Sequence, residues 1–365
     1  MSGELERARQ LPAEIRTAWA ARYGTDAAER LSAAEDFADA MKSAATPPNT
    51  ADTYTKGWKV WQRFCAEQGF PELEGSRGAL VAYVAWMLDR GRKTPGPGGV
   101  RGYAPASAAS HLTAVVVGLR DPEAVGATHD PNPVSKDAQA EARARLESIA
   151  TRLAKAGERR GRGKAPAADI DNLHRIVASC DDSPTGRRDL ALVLTGFHFA
   201  SRASEIAGLL LADITTHARG IKVAVVTGKT RRSVRTVAVP YNLDEPEICA
   251  ARAWQRWAES YGTADQARPA FPRIDRWGNI GGAMAPDSVT VAVARVAQRS
   301  GVPIRWTGHS LRSGLATEGR KNGKDALVIA KQGGWAPNSK AMLGYMELAD
   351  EWDDNATSGL RRTGR

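Results

Sequence analysis

The chain has 365 residues, 42% of them apolar, and a formal net charge of +10, which is room for two or three domains with sizeable cores. The charge favours a polyanionic partner, although a soluble protein that is merely basic would have the same balance. No stretch approaches the roughly 18 uninterrupted apolar residues of a membrane span, and the charged N-terminus lacks the apolar core of a signal peptide, so a cytoplasmic protein that does not engage a membrane is expected.

Residues 1–45 are rich in alanine with mixed charges and read as a helical N-terminal extension. After Thr46-Pro-Pro-Asn49, either Asn49 or Thr50 is placed to cap a helix carrying Tyr54, Trp58, Trp61 and Cys65 at helical spacing. Such a stripe is more often core than a platform for stacking bases. Cys65, Cys180 and Cys249 are far apart and form no Cys-x-x-Cys pair, which suits buried thiols better than disulfides or zinc. Further helices are expected over 79–88, 105–119 and 135–154, interrupted by the basic Gly/Pro loop 92–102 and by Asp130-Pro-Asn-Pro133.

Residues 155–166 hold too many glycines for a stable helix. Their cations, Lys155, Arg159, Arg160, Arg162 and Lys164, suit a linker crossing a phosphate backbone, against the plainer reading of a solvated linker. The main domain boundary is placed here. Beyond it, helices are expected over 169–180 and 187–200. The β-branched runs 221–227 and 234–239 form a hairpin whose tip carries Lys229, Arg231 and Arg232. From about residue 247 the chain reads mostly helical, with Gly/Pro-rich breaks.

Six residues carry the chemistry: Arg202, Lys229, His309, Arg312, Trp335 and Tyr345. Taken singly, each is ordinary. Arginines are usually at the surface, a lone histidine is usually structural, and a tryptophan after two glycines is usually core. Together, two arginines, a lysine, a histidine and an indole N–H are donors able to surround one phosphate. Arginine suits the non-bridging oxygens because its planar fork donates in parallel and keeps its charge. Glu205, three residues on, is placed to orient Arg202. Lys229 at a hairpin tip can reach into a groove and protonate a leaving 5′ oxygen. Gly228-Lys229-Thr230 also suggests a phosphate-binding loop, but Val223 stands where that motif needs glycine. His309 and Arg312 lie three apart and share a helical face. No other ligand stands near His309 at zinc-like spacing, so no metal is expected. Tyr345 is the expected nucleophile, and a phenol titrating at about 10 needs a cationic pocket to attack.

In order and approximate spacing, Arg202-x-x-Glu205, the hairpin Lys229, His309-x-x-Arg312, Trp335 and Tyr345 resemble the tyrosine recombinases, the phage-integrase family, and most closely its Cre-like members. The segments Ala156-Gly-Glu-Arg159 and Gly333-Gly-Trp335 are similar to the same group. The specific part of the likeness covers about residues 155–348. It implies a mainly α fold, α+β in the catalytic domain. An all-helical core-binding domain over 46–154, a basic linker over 155–166 and a catalytic domain over 167–346 with a small antiparallel sheet would form a C-shaped clamp on DNA. The resemblance further implies that the six residues are catalytic, with Glu205 in support. A homotetramer on double-stranded DNA at a specific site would then work through a 3′-phosphotyrosyl intermediate and a Holliday junction. No cofactor is implied, because one phosphoester replaces another.

Residues 1–45 do not look like the β-rich arm-binding domain of lambda-type integrases, which points to a simple recombinase on short sites. The tail 347–365 places Trp352, Ala356 and Leu360 at helical spacing. It is expected to dock on a neighbouring protomer or to pack on its own domain. Integration, excision and plasmid multimer resolution are all compatible with the residues. A type IB-like topoisomerase, a hairpin-forming resolvase and a non-catalytic DNA-binding protein of the same fold stand as alternatives.

Overall fold

Apolar positions recurring every three to four residues turn most of this chain into helix. The computed structural model describes residues 13–45, 48–127, 129, 131–132, 134–158, 160–161, 163, 165–227 and 233–353. The chain divides into two units, Met1–Gly163 and Lys164–Arg365.

In the first unit the described helices are α1 (Ala13–Tyr23), α2 (Thr25–Ala45), α3 (Pro48–Gln68), α4 (Arg77–Arg90), α5 (Pro105–Arg120) and α6 (Lys136–Lys155). The Ser76 and Ser135 hydroxyls accept from the N–H groups of Ala79 and Ala138 and so start α4 and α6. Asn49 and Thr50, expected as caps, instead lie inside the first turn of α3. Pro48 opens that helix, where a fixed φ fits and a missing N–H costs nothing.

The aromatic stripe of α3 is core. Trp58, Trp61 and Cys65 are buried, and Trp61 meets the edge of Tyr83 at 5.0 Å between ring centroids. Its indole N–H donates to the Glu72 carbonyl at 2.7 Å, so the buried ring leaves no unpaired donor. Burial pushes the Cys65 thiol up to about 12, with Glu72 adding to the shift, which keeps it neutral. Gly57 lets α3 cross α5 closely: a Cβ there would stand 2.4 Å from that of Ala114.

The second unit opens with α7 (Ile170–Ser179) and α8 (Pro184–His198), started by the side chains of Asp169 and Ser183. After them come α9 (Ala203–Gly208), β1 (Ile214–His217), β2 (Gly220–Thr227) and β3 (Ser233–Pro240). The three strands form an antiparallel sheet in the order β1-β2-β3, with Val225 opposite Arg235. Next are α10 (Ala250–Tyr261), the antiparallel pair β4 (Pro272–Ile274) and β5 (Ile280–Ala283), and α11 (Pro286–Arg299). Last come α12 (Gly308–Lys321), α13 (Ala326–Gly333) and α14 (Lys340–Asp353).

Helix α8 runs through the middle of this core and is buried over residues 188–197. Its one buried carboxylate, Asp189, pairs with Arg188 at 2.8 Å and Arg295 at 2.9 Å, and Arg188 also donates to the Pro272 carbonyl at 2.5 Å. That network fixes β4 and α11 against α8. Strands β1, β4 and β5 lie in segments without strand patterning: β1 is Ile-Thr-Thr-His and β5 is Ile-Gly-Gly-Ala. No helix among the described residues is long and apolar enough to cross a membrane.

Replacing the fully buried Trp61 by alanine should cost about 3–5 kcal/mol through lost burial and the cavity left behind. Urea unfolding followed by circular dichroism measures it, and a change below about 1 kcal/mol would contradict the assignment of the stripe to the core.

Candidate active site

The end of α8 sets the geometry. Ala200 closes that helix with a positive φ of 52°, an uncommon conformation for a residue with a side chain. The turn points the Ala200 carbonyl at α12, and Arg202 follows as the N-cap of α9. Glu205, almost fully buried, accepts from the Arg202 backbone N–H at 2.8 Å and from its guanidinium at 2.5 Å. One carboxylate therefore fixes the start of α9 and the direction of a side chain that is half exposed.

Helix α12 is started by Thr307, whose hydroxyl accepts from the His309 N–H. Three residues apart, His309 and Arg312 point into one pocket but at different depths. Arg312 is buried, and its Nη1 donates to the carbonyls of Ala200 at 2.5 Å and Gly333 at 2.7 Å. Its guanidinium lies 4.0 Å from the ring centroid of Trp335, a cation–π contact, and its Nη2 has no hydrogen-bond partner. Burial, with Arg202 adding repulsion, lowers its pKa to about 10, so it stays charged at neutral pH.

A tight turn delivers Trp335. Gly334 ends α13 with φ +62°, and the Trp335 N–H reaches back to the Ala330 carbonyl at 2.9 Å, a left-handed C-terminal cap. Gly333 must lack a side chain, since a Cβ would fall 1.9 Å from the Trp335 ring.

Helix α14 then presents Tyr345. Met342 and Met346 are buried against Ala316, Ile329 and Ala330, and the Thr317 hydroxyl donates to the Tyr345 carbonyl at 3.0 Å. With that face anchored, the Tyr345 hydroxyl stands 2.5 Å from Nε2 of His309. Burial raises the phenol's pKa, with Arg312 pulling the other way. The His309 pKa is lowered by desolvation first, then by Arg312 and Arg202. At neutral pH the imidazole is thus uncharged, able to accept the phenol proton through Nε2 when Nδ1 carries its own proton.

The pocket therefore brings together Arg202, His309, Arg312, Trp335 and Tyr345, with Glu205 beneath. Lys229, Arg231 and Arg232 lie outside the described residues, as do Arg159, Arg162 and Lys164 of the linker. Lys155 is exposed at the end of α6. Arg160 is largely occupied: it pairs with Glu158 at 2.8 Å and donates to the Leu88 carbonyl.

A phage integrase family model matches residues 168–351, half of the chain. The chain belongs to the phage integrase family. Over 318 residues, 86% of this chain and 85% of the relative, it is 27% identical to an integrase/recombinase XerD homolog of Selenomonas ruminantium. It is 32% identical to the tyrosine recombinase XerC of Xylella fastidiosa over 149 residues, 41% of this chain and 45% of that protein. A lambda integrase dimer bound to a COC′ core site has the same fold, with TM-score 0.54 at 15% identity over 87% of this chain and 77% of that one.

Sequence reasoning missed one integrase-pocket residue, Arg235 on β3. It feels both Glu205 and Arg202, and it contributes to the repulsion on Arg312. The signal was available in strand alternation. Val237 and Val239 face the core, so Arg235 shares an inward row, where a charge needs a reason.

By this geometry His309 should titrate below the ordinary histidine value of about 6.5, as followed by NMR of its imidazole in the DNA-free protein. In Arg202→Ala, which removes one of the cations that depress it, the midpoint should rise. A wild-type midpoint at or above the ordinary value would contradict the pocket electrostatics.

Proposed function

We propose that this protein is a site-specific DNA recombinase that cuts and rejoins strands through its own Tyr345. The observation that carries the reading is the contact between the Tyr345 hydroxyl and His309 Nε2, beside a buried arginine with an unpaired donor. A nucleophile, a base that is neutral at working pH and unmatched cations in one pocket are what phosphoryl transfer to a phenol requires.

In the first step the Tyr345 oxygen attacks the phosphorus of the scissile phosphodiester as its proton passes to His309. The bond from phosphorus to the 5′ oxygen breaks, leaving a 3′-phosphotyrosyl linkage and a free 5′ hydroxyl. Arg202 and Arg312 hold the non-bridging oxygens, where such donors are worth about 3–4 kcal/mol each. Trp335 keeps Arg312 aimed by stacking on it. Lys229 delivers the proton to the leaving 5′ oxygen, a contribution on the order of 10²–10⁴-fold. Attack by a 5′ hydroxyl from a partner duplex reverses the chemistry and joins the exchanged strand, so the free energy of the phosphoester is conserved throughout.

Four protomers on two copies of a specific duplex site carry out the exchange through a Holliday junction. The helices of residues 46–154 form the core-binding domain, and the basic residues 155–166 cross the DNA backbone. Residues 347–365 link neighbouring protomers. The positive net charge and the relatives named as recombinases support this assembly.

Tyr345→Phe should bind its DNA site normally yet form no covalent adduct on a nicked suicide substrate resolved on a denaturing gel. Arg202→Lys, which keeps the charge but loses the planar fork, should slow adduct formation by about 10²–10³-fold. A covalent adduct surviving in Tyr345→Phe contradicts the assignment.

A further inference from the structure

Arg235 enters β3 on the row of Val237 and Val239, the face that packs into the core. Its Nη1 donates to the Gln332 carbonyl at 2.5 Å, while Nε and Nη2 are buried with no hydrogen-bond partner. Gly334 crosses directly over the group: a Cβ there would stand 2.7 Å from Nε, and its φ of +62° already disfavours a side chain. Gln332 in turn ties the turn to its surroundings, its side-chain amide donating to the carbonyls of His198 at 2.8 Å and Ala238 at 3.2 Å. The next residue, Gly333, supplies a carbonyl to Arg312, and Trp335 stacks on the same guanidinium. A partly buried arginine whose enclosed nitrogens hold one bond where several are possible weakens a fold rather than strengthening it. Its gain lies in the turn that it holds.

We propose that Arg235 is a positioning residue for strand cleavage. Its hydrogen bond to Gln332 fixes the turn over residues 332–335, and through it the Gly333 carbonyl and the Trp335 ring that aim Arg312 at the phosphate. The inference rests on the recombinase reading and extends it to a residue outside the six.

Single-turnover formation of the covalent adduct tests it, with DNA affinity and thermal unfolding measured on the same preparations. Arg235→Met keeps the length of the side chain and removes the bond. Adduct formation should slow on the order of 100-fold, the scale of a small misplacement at a reacting centre. Affinity for the DNA site should not change. The melting temperature should hold or rise, because an apolar chain replaces an incompletely paired buried charge. Arg235→Lys, which can still reach one carbonyl, should recover part of the rate. Gly334→Ala presses on the same guanidinium, so its effect on the rate should be less than additive with that of Arg235→Met in the double variant.

Wild-type cleavage by Arg235→Met would overturn the proposal. So would a loss of rate that only tracks lost folding or lost DNA binding, or full additivity with Gly334→Ala. Absence of any adduct from the wild-type protein would instead remove the recombinase reading, and this inference with it.

Discussion

The buried guanidinium of Arg312 is the fixed point of the catalytic unit. It joins three segments far apart in sequence: the end of α8 through the Ala200 carbonyl, α12 on which it sits, and the turn after α13 through Gly333 and Trp335. Carbonyl dipoles and an indole face stabilise a cation without cancelling its charge. Arg202 and Arg235 add to the positive potential, and among the described residues Glu205 is the one carboxylate hydrogen-bonded within the cluster. Such a clustering of cations is costly to assemble, and the proposed function supplies its reason in the charge of a DNA phosphate.

The same electrostatics separates rest from action. In the DNA-free protein the phenol of Tyr345 is held protonated by burial, and His309 is a weak base because Arg312 and Arg202 disfavour its charged form. On the proposed mechanism, a phosphate between those cations would screen them and make the imidazole a stronger proton acceptor as the target arrives. In the proposed mechanism the nucleophile is thus activated by the group it attacks, which limits idle chemistry with water.

Much of this was legible in the sequence, for identifiable reasons. Helices of ten or more residues, such as α3, α5 and α6, followed from the spacing of their apolar residues, although the cap expected for α3 was misplaced. The β2–β3 hairpin followed from its β-branched runs. The order of the site residues showed that they formed a set, because each motif combines a distinctive residue type with a local constraint: Glu205 behind Arg202, or one helical face for His309 and Arg312. What escaped depends on contacts across the chain. Strands β4 and β5 carry little strand patterning, and β4 is tied to α8 by the bond from Arg188 to the Pro272 carbonyl. Arg235 stood unremarked within a β-branched run, and the pairing of β3 with β2 and the passage of Gly334 above it show that it turns inward.

On the proposed mechanism each chain cleaves with its own tyrosine, held in its own cationic pocket. Mixing two inactive variants tests this most directly: Arg202→Ala, which keeps the tyrosine, and Tyr345→Phe, which keeps the pocket. Both are placed on a labelled suicide substrate. Attack within one chain requires that the mixture, like each variant alone, yield no covalent adduct. Adduct formation restored by mixing would show that one chain's tyrosine enters another chain's pocket, and would contradict the arrangement described here.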